Sequence, residues 1–93
     1  MYAERLPPND TSAEESVVAS ILIDADALSR VTAILKPSDF YSEKNRWCYQ
    51  ACHALSERSE AINQVTVAHE LSLQDRLEAV GGASYLSQIV LRV

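Results

Sequence analysis

Apolar residues recur at intervals of three and four positions along most of the chain, and regular alternation of apolar and polar residues is absent. That spacing gathers apolar side chains on one face of an α-helix, whereas alternation would indicate half-buried strands. The pattern predicts an all-α fold, a compact orthogonal bundle of about five to six short helices around a central first helix.

The first predicted helix lies at the centre of the bundle. Residues 1–9 are expected to be extended, because the prolines at positions 7 and 8 restrict the backbone, and the helical domain is expected to span residues 10–93. Three residues could cap the helix: Asp10, Thr11 or Ser12. The helix runs to about Ile23 and is apolar on most of its surface, which is typical of a helix surrounded by others.

The second predicted helix is bounded by acidic caps and by proline. Asp24 or Asp26 begins it, and it runs to about Leu35, where Lys36-Pro37 ends it because proline cannot continue the hydrogen-bond ladder. Its buried face contains Leu28, Val31 and Leu35. In the turn that follows, Phe40 and Tyr41 are expected to fill the edge of the core.

The third predicted helix is the longest and runs from Ser42 to about Ser59. On a helical wheel its packing face contains Trp47, Cys48, Ala51, Cys52 and Leu55. Tyr49 falls outside this stripe and is therefore expected to be partly exposed. There it would either anchor a partner, as tyrosine often does in interfaces, or pack at the edge of the core.

The last two predicted helices flank a glycine pair. The fourth helix starts near Asn63 or Thr66, and three residues after its apolar stretch are expected to pack on the core: Leu73, Leu77 and Val80. Gly81-Gly82 marks a backbone reversal before a fifth helix from Ser84. Its stripe contains Tyr85, Leu86, Ile89, Val90 and Val93. Because the stripe reaches Val93 without a terminating signal, the natural chain is expected to continue.

Charge and hydropathy narrow the classes of function. The net charge is −5, and no cluster of Lys or Arg stands out. Phosphate binding depends on such residues, so little or no direct nucleic-acid binding is expected. No apolar run approaches the roughly 20 residues that span a bilayer, and no secretory signal opens the chain. We expect a cytoplasmic protein without membrane association.

Motifs for catalysis or cofactor binding are missing. The sequence contains no phosphate loop, dinucleotide-binding fingerprint or zinc-protease motif, so this chain alone is not expected to be an enzyme or to hold a cofactor. Cys48 and Cys52 share an apolar helix face and are expected to be core thiols rather than metal ligands. His53 and His69 have no nucleophile beside them in the sequence.

The acidic residues at the predicted helix starts could in principle bind a cation. They are Glu14, Glu15, Asp24 and Asp26. Carboxylates at these positions more commonly satisfy free N–H groups and complement the helix dipole, and that is the expected role.

Several stretches of the chain, in this order and spacing, carry a resemblance to a known family. They are Arg5–Asn9, Ala13–Val18, Ile21–Asp24, Leu35–Tyr41, Ile62–Val67 and Leu77–Leu86. Together they resemble the N-terminal domain of bacterial DnaB-type replicative DNA helicases, from about Arg5 to Val93. One departure is Asp75, at a position where the family often has glycine.

The resemblance implies a non-catalytic collar domain of the primosome. Such a domain would self-associate as a dimer or within a hexameric ring and would dock primase and, in some bacteria, a helicase loader. It also implies that a C-terminal hairpin and an ATPase motor using ATP and Mg belong to other parts of an ATP-dependent parent helicase. Candidate partner residues, each off its helix's main stripe, are Ile23, Tyr49 and Leu91.

Two other functions stay open. A small helical DNA-binding protein, such as a helix-turn-helix, would need a basic recognition helix. A stand-alone regulatory protein could bind a helicase or primase without having a motor.

Overall fold

The computed structural model describes residues 10–92, which form five α-helices and one short 3-10 helix. The helices are α1 (Thr11–Ile23), α2 (Ala27–Thr32), α3 (Glu43–Glu57), α4 (Gln64–Leu73) and α5 (Gly82–Leu91), and the 3-10 helix is Pro37–Asp39. No strand occurs in this range, so the all-α prediction is confirmed. The extended segment predicted for residues 1–9 and the stripe position Val93 lie outside the described residues. None of the helices found between residues 10 and 92 has the length and hydropathy needed to cross a bilayer.

Helix α1 occupies the centre, as predicted. It packs against α2, α3 and α5, and the adjacent side chains of Val18 and Ala19 are both fully buried, which requires partners on more than one side of the helix. Asp10 caps the helix, because its Oδ1 accepts a hydrogen bond of 3.0 Å from the Ala13 N–H.

The other helices complete one core around α1. Its larger members outside α1 are Leu28, Leu35, Phe40, Tyr49, Leu55, Leu71, Tyr85, Leu86 and Ile89. Cys48 and Cys52 are also fully buried, which confirms that they are core thiols. Burial raises the pKa of each thiol to about 12, so both stay protonated and unreactive at neutral pH. Within residues 10–92, no group of three or more His, Cys, Asp or Glu side chains is arranged to hold a metal ion.

Helix α2 ends at Thr32, earlier than the predicted end near Leu35. The Leu35 N–H still donates to the Val31 carbonyl at 2.8 Å, but the chain then turns into the 3-10 helix. This turn places the Leu35 side chain in the core, where it is 2% exposed. The prediction of Leu35 as a buried residue is confirmed, although it is not helical.

Three predictions about buried side chains were wrong or incomplete. Tyr41 is 66% exposed, whereas its neighbour Phe40 is buried, because the extended backbone after the 3-10 helix directs successive side chains to opposite sides. Leu73 is 69% exposed at the end of α4. Trp47 is only half-buried and lies at the margin of the core, with the Arg76 guanidinium 4.7 Å from its ring centroid.

Two helices end in a left-handed residue that is not glycine. Ser59 follows α3 with a φ of 58°, and Asp75 follows α4 with a φ of 61°. In each case the next N–H returns to a carbonyl five residues back, Glu60 to Leu55 at 2.9 Å and Arg76 to Leu71 at 2.8 Å. This is the Schellman arrangement, so Asp75 occupies a position whose geometry favours glycine.

We therefore expect Asp75→Gly to raise the free energy of unfolding by about 0.5–1 kcal/mol, because glycine adopts a positive φ without a steric penalty. Urea denaturation measures the change. The control is Ser72→Gly, inside the helical part of α4, which should destabilise by about 0.5 kcal/mol because glycine is a poorer helix former. Destabilisation by both substitutions would contradict the cap assignment.

Candidate functional site

The outer side of α4 and α5 carries almost no formal charge. With histidine counted as neutral, α5 contains no charged side chain and α4 contains only Glu70. Glu70 is 6% exposed. The whole chain has eight Lys or Arg and thirteen Asp or Glu residues, so the rest of the molecule is densely charged. Because charged residues are depleted at the centres of protein interfaces, this side is the candidate functional site.

Helices α4 and α5 run antiparallel. The Ser87 hydroxyl, just past the middle of α5, donates a hydrogen bond of 3.0 Å to the Gln64 side chain at the start of α4. The reversal between the helices ends at Gly81 and Gly82, whose φ angles of 105° and 75° favour glycine. A Cβ on Gly81 would also lie 3.2 Å from the Tyr85 Cβ. The glycine pair predicted from the sequence therefore lets α5 return along α4.

A shallow groove of about 310 Å³ runs between the two helices. It is lined by Gln64, Val65, Ala68, Ala83 and Ser87. Val65 is 77% exposed beside it, and Leu91, four residues after Ser87 and on the same side of α5, is 83% exposed. We call these residues, Val65, Ala68, Ala83, Ser87 and Leu91, the α4–α5 face.

The single charge of α4 is held on its α3 side. Arg58, at the end of α3, donates a hydrogen bond of 2.6 Å to Glu70, and the Gln74 amide donates another of 2.8 Å. Arg58 also binds Glu60 at 3.1 Å. The hydrogen bond from Arg58, which has the larger effect, and the one from Gln74 lower the pKa of Glu70. The carboxylate is therefore ionised and paired at neutral pH. The α4–α5 face therefore receives no charge from α4.

A buried polar network fixes α5 from beneath. The Tyr85 hydroxyl donates to Oδ1 of Asn45, and Nδ2 of Asn45 donates to Oε1 of Glu14 at 3.2 Å. Glu14 also accepts from the backbone N–H groups of Tyr41 at 2.6 Å and Ser42 at 3.0 Å. Burial raises the pKa of Tyr85, which keeps its hydroxyl a donor. The network joins α1, α3 and α5, so the inner side of α5 is fixed and its outer side is presented to solvent.

Glu14 acts on a different helix from the one that the sequence indicated. We expected it to satisfy N–H groups at the start of its own helix, but its carboxylate is fully buried and binds the residues that begin α3. A carboxylate at a helix N-terminus is stabilised by the free N–H groups and by the helix dipole. Sequence spacing does not reveal this pairing, because Glu14 and Ser42 meet only in the folded chain.

The structure separates the three candidate partner residues. Leu91 lies on the α4–α5 face, and Ile23 is 57% exposed at the end of α1, outside the groove. The surface position expected for Tyr49 was wrong, because its side chain is fully buried. Its hydroxyl donates to the Leu35 carbonyl at 2.8 Å, and its ring lies 4.8 Å from that of Phe40.

Tyr49 is buried because α3 has neighbours on two sides. Helices α1 and α4 pack against α3, and so does the 3-10 helix, whose flanking residues Leu35 and Phe40 contact Tyr49. A wheel with a single buried stripe misses the second contact. Burial raises the pKa of Tyr49 to about 12, so its hydroxyl remains a donor.

Val65 belongs to the candidate site but was not singled out from the sequence. A signal for it was present, because residues 61–74 and 79–91 contain Glu70 as their only charged residue. The helical periodicity considers only where apolar residues recur, so it does not reveal a stretch without charged residues.

Comparisons with known proteins agree on one family. The family model described as the DnaB-like helicase N terminal domain matches residues 6–93. The chain is 36% identical over 89 residues to the replicative DNA helicase DnaB of Geobacillus stearothermophilus, covering 96% of this chain and 20% of that protein. It is 41% identical over 86 residues to the replicative DNA helicase DnaC of Bacillus subtilis (strain 168), covering 92% of this chain and 19% of that protein.

A solved structure shows the same fold. The crystal structure of the N-terminal domain of DnaB helicase from Mycobacterium tuberculosis matches with a TM-score of 0.90 and 39% identity, covering 95% of this chain and 61% of that one. The chain thus spans about a fifth of the length of the full helicases that it matches.

Proposed function

The chain belongs to the family of DnaB-like helicase N-terminal domains, and on that premise we propose that it is a non-catalytic oligomerisation and docking domain of a replicative helicase. In this role it supports a hexameric ring and offers a surface to primase during DNA replication in the bacterial cytoplasm. A helicase loader is a further proposed partner. ATP and Mg would serve a motor in the remainder of a parent helicase.

The α4–α5 face is the observation that carries this proposal. It combines exposed Val65 and Leu91 with an absence of formal charge, and the buried Tyr85–Asn45–Glu14 network holds α5 in place. Rigid, charge-depleted surfaces with apolar groups are typical of protein interfaces.

Binding of the 93-residue chain to primase tests the docking role. A fluorescently labelled chain is titrated with primase from a related bacterium, and fluorescence anisotropy is recorded. We expect saturable binding that does not vanish between low and physiological salt. If the anisotropy does not change up to about 100 μM primase, the binding free energy is weaker than about 5.5 kcal/mol. That result would contradict the docking role.

The DNA-binding alternative is measured in the same assay. Labelled single- and double-stranded DNA replaces primase at low salt, and we expect no binding, because the net charge of the chain is −5. Tight binding to DNA that weakens steeply with salt would favour the DNA-binding alternative instead.

A further inference from the structure

We infer that two cations stacked on aromatic rings beside α3, Lys44 and Arg76, form a docking surface for an acidic peptide segment of a protein partner. The Lys44 Nζ lies 4.1 Å from the centroid of the Tyr85 ring, and the Arg76 guanidinium lies 4.7 Å from that of Trp47. We call Lys44, Trp47, Arg76 and Tyr85 the cation–aromatic patch. It shares no residue with the α4–α5 face, and the inference goes beyond the function proposed above because it adds a second surface and the chemistry of its ligand.

Both cations of the patch flank the segment that connects α4 to α5. Arg76 lies near the beginning of that segment, and its Nη1 donates a hydrogen bond of 3.2 Å to the Gln50 side chain of α3. The Lys44 Nζ lies near its end, 3.7 Å from the position that a Cβ on Gly81 would occupy. Lys44 and Gln50 are six residues apart on α3, which corresponds to about 9 Å along the helix axis. The fold thus places two charges that are distant in the sequence roughly 10 Å apart.

The charges of the patch are not neutralised by acidic side chains. Within residues 10–92, the four arginines other than Arg76 each form an ion pair, whereas Arg76 and Lys44 form none. The side chains that accept hydrogen bonds from Arg76 are the neutral amides of Gln50 and Gln74, and they engage only Nη1 of a group that has five N–H donors. In a chain with a net charge of −5, these two cations are placed to attract a negatively charged ligand.

Both cations are already held in position before a ligand arrives. An aromatic ring attracts a cation that lies over its face, so each side chain is confined by its ring. A confined side chain loses less freedom on binding, and the planar guanidinium of Arg76 can pair with both oxygens of a carboxylate. Trp47 beneath it is half-buried, and tryptophan and arginine are the residues most enriched among those that dominate protein interfaces. The patch is therefore suited to a protein ligand.

The spacing of the charges favours a peptide over other anions. One small anion cannot contact two cations about 10 Å apart, whereas two acidic residues three positions apart in an extended peptide are separated by about that distance. A nucleic acid fits less well, because single strands bind by stacking bases on aromatic faces, and the face of Trp47 is covered by Arg76. The ligand that matches the patch is an extended acidic segment with two carboxylates at this spacing.

A titration followed by NMR tests the inference. Trp47 is the only tryptophan of the chain, so its indole N–H gives a single resonance that reports on the patch. The probe is a peptide of glycine and serine with two aspartates three positions apart, and the control peptide has asparagine at both positions. We expect the aspartate peptide to shift the indole resonance with a Kd of about 0.1–1 mM, because exposed ion pairs are weak, and the asparagine peptide to leave it unchanged. Absence of a shift up to about 5 mM of the aspartate peptide, or equal shifts with both peptides, would overturn the inference.

Removal of single charges shows whether the peptide binds at the patch. Lys44→Gln should weaken binding about threefold, and Arg76→Gln about fivefold or more because an arginine–carboxylate pair has the stronger hydrogen bonds. Lys36→Gln is the matched control and should leave the Kd unchanged, since Lys36 is an exposed lysine outside the patch that also lacks an ion pair within residues 10–92. Circular dichroism checks that each variant is folded, and the exposed Lys44 position decides the question if Arg76→Gln does not fold. An equal loss with Lys36→Gln would reveal a general effect of charge and would contradict the inference.

A nucleic-acid ligand is measured through the same resonance. A single-stranded oligothymidine replaces the peptide at low salt, and we expect the Trp47 indole resonance to stay in place, because two cations supply few of the phosphate contacts that such binding needs. If the oligonucleotide shifts this resonance at lower concentrations than the aspartate peptide does, the ligand is a nucleic acid and the inference is wrong.

Discussion

Glu14→Ala is expected to lower the free energy of unfolding by about 3 kcal/mol, a large part of the roughly 5–10 kcal/mol expected for a domain of this size. The carboxylate is fully buried and accepts hydrogen bonds from the N–H groups of Tyr41 and Ser42 and from the Asn45 amide. Its removal leaves the buried Asn45 amide and the part-buried N–H groups of Tyr41 and Ser42 without their acceptor, which costs more than the loss of the bonds themselves.

The loss of stability caused by Glu14→Ala should extend from α1 to α5. Asn45 holds the Tyr85 hydroxyl through its other amide atom, so an Asn45 that lacks Glu14 is free to turn away from Tyr85. Buried networks of this kind lose stability when they are only partly satisfied. The start of α3 and the position of α5 are therefore expected to loosen together.

Urea denaturation followed by circular dichroism measures the effect of Glu14→Ala. Glu14→Gln keeps one acceptor oxygen and should be intermediate, and Glu15→Ala, at the adjacent and less buried position, should cost about 1 kcal/mol or less. Glu15 is a stringent control because it forms an ion pair with Arg92 and accepts a long hydrogen bond of 3.4 Å from the Tyr85 hydroxyl, but it accepts none from the start of α3. Equal effects at the two positions would show that the network does not stabilise the fold as described.

Tyr49→Asp is expected to unfold the domain. It removes an aromatic side chain from a fully buried site and places an unpaired carboxylate there, a combined loss of at least about 5 kcal/mol. The partial exposure that the sequence indicated for Tyr49 would instead predict that a charge at this position is tolerated.

Two variants separate the contributions of the Tyr49 ring and hydroxyl. Tyr49→Phe keeps the contact with Phe40 and leaves the Leu35 carbonyl without its donor, so it should cost only about 1–2 kcal/mol. Tyr41→Asp, at a tyrosine that is 66% exposed, should change stability by no more than about 0.5 kcal/mol. Thermal unfolding of the three variants gives the ranking, and a folded Tyr49→Asp protein with cooperative unfolding would contradict the burial of this side chain.

Local signals in the sequence determined the helices. Asp10, Ser42 and Asn63 cap α1, α3 and α4 with their own side chains, and a capping residue needs only the next few N–H groups, so the signal can be recognised without the fold. The glycine pair at positions 81 and 82 likewise marks a reversal through its own backbone angles. The family resemblance also came from the sequence, and the family match confirms it.

Only the tertiary structure decided which sides of these helices are buried and which side chains meet there. Helical periodicity assigns one buried stripe to each helix, but α3 has partners on two sides, and this is why Tyr49 is buried and not exposed. Glu14 and Ser42 are 28 residues apart, so their pairing depends on how α1 and α3 are packed. The antiparallel packing of α4 and α5 likewise joins two uncharged segments into one face. Contacts between residues distant in the sequence follow from the packing of whole helices, and no short stretch of sequence specifies them.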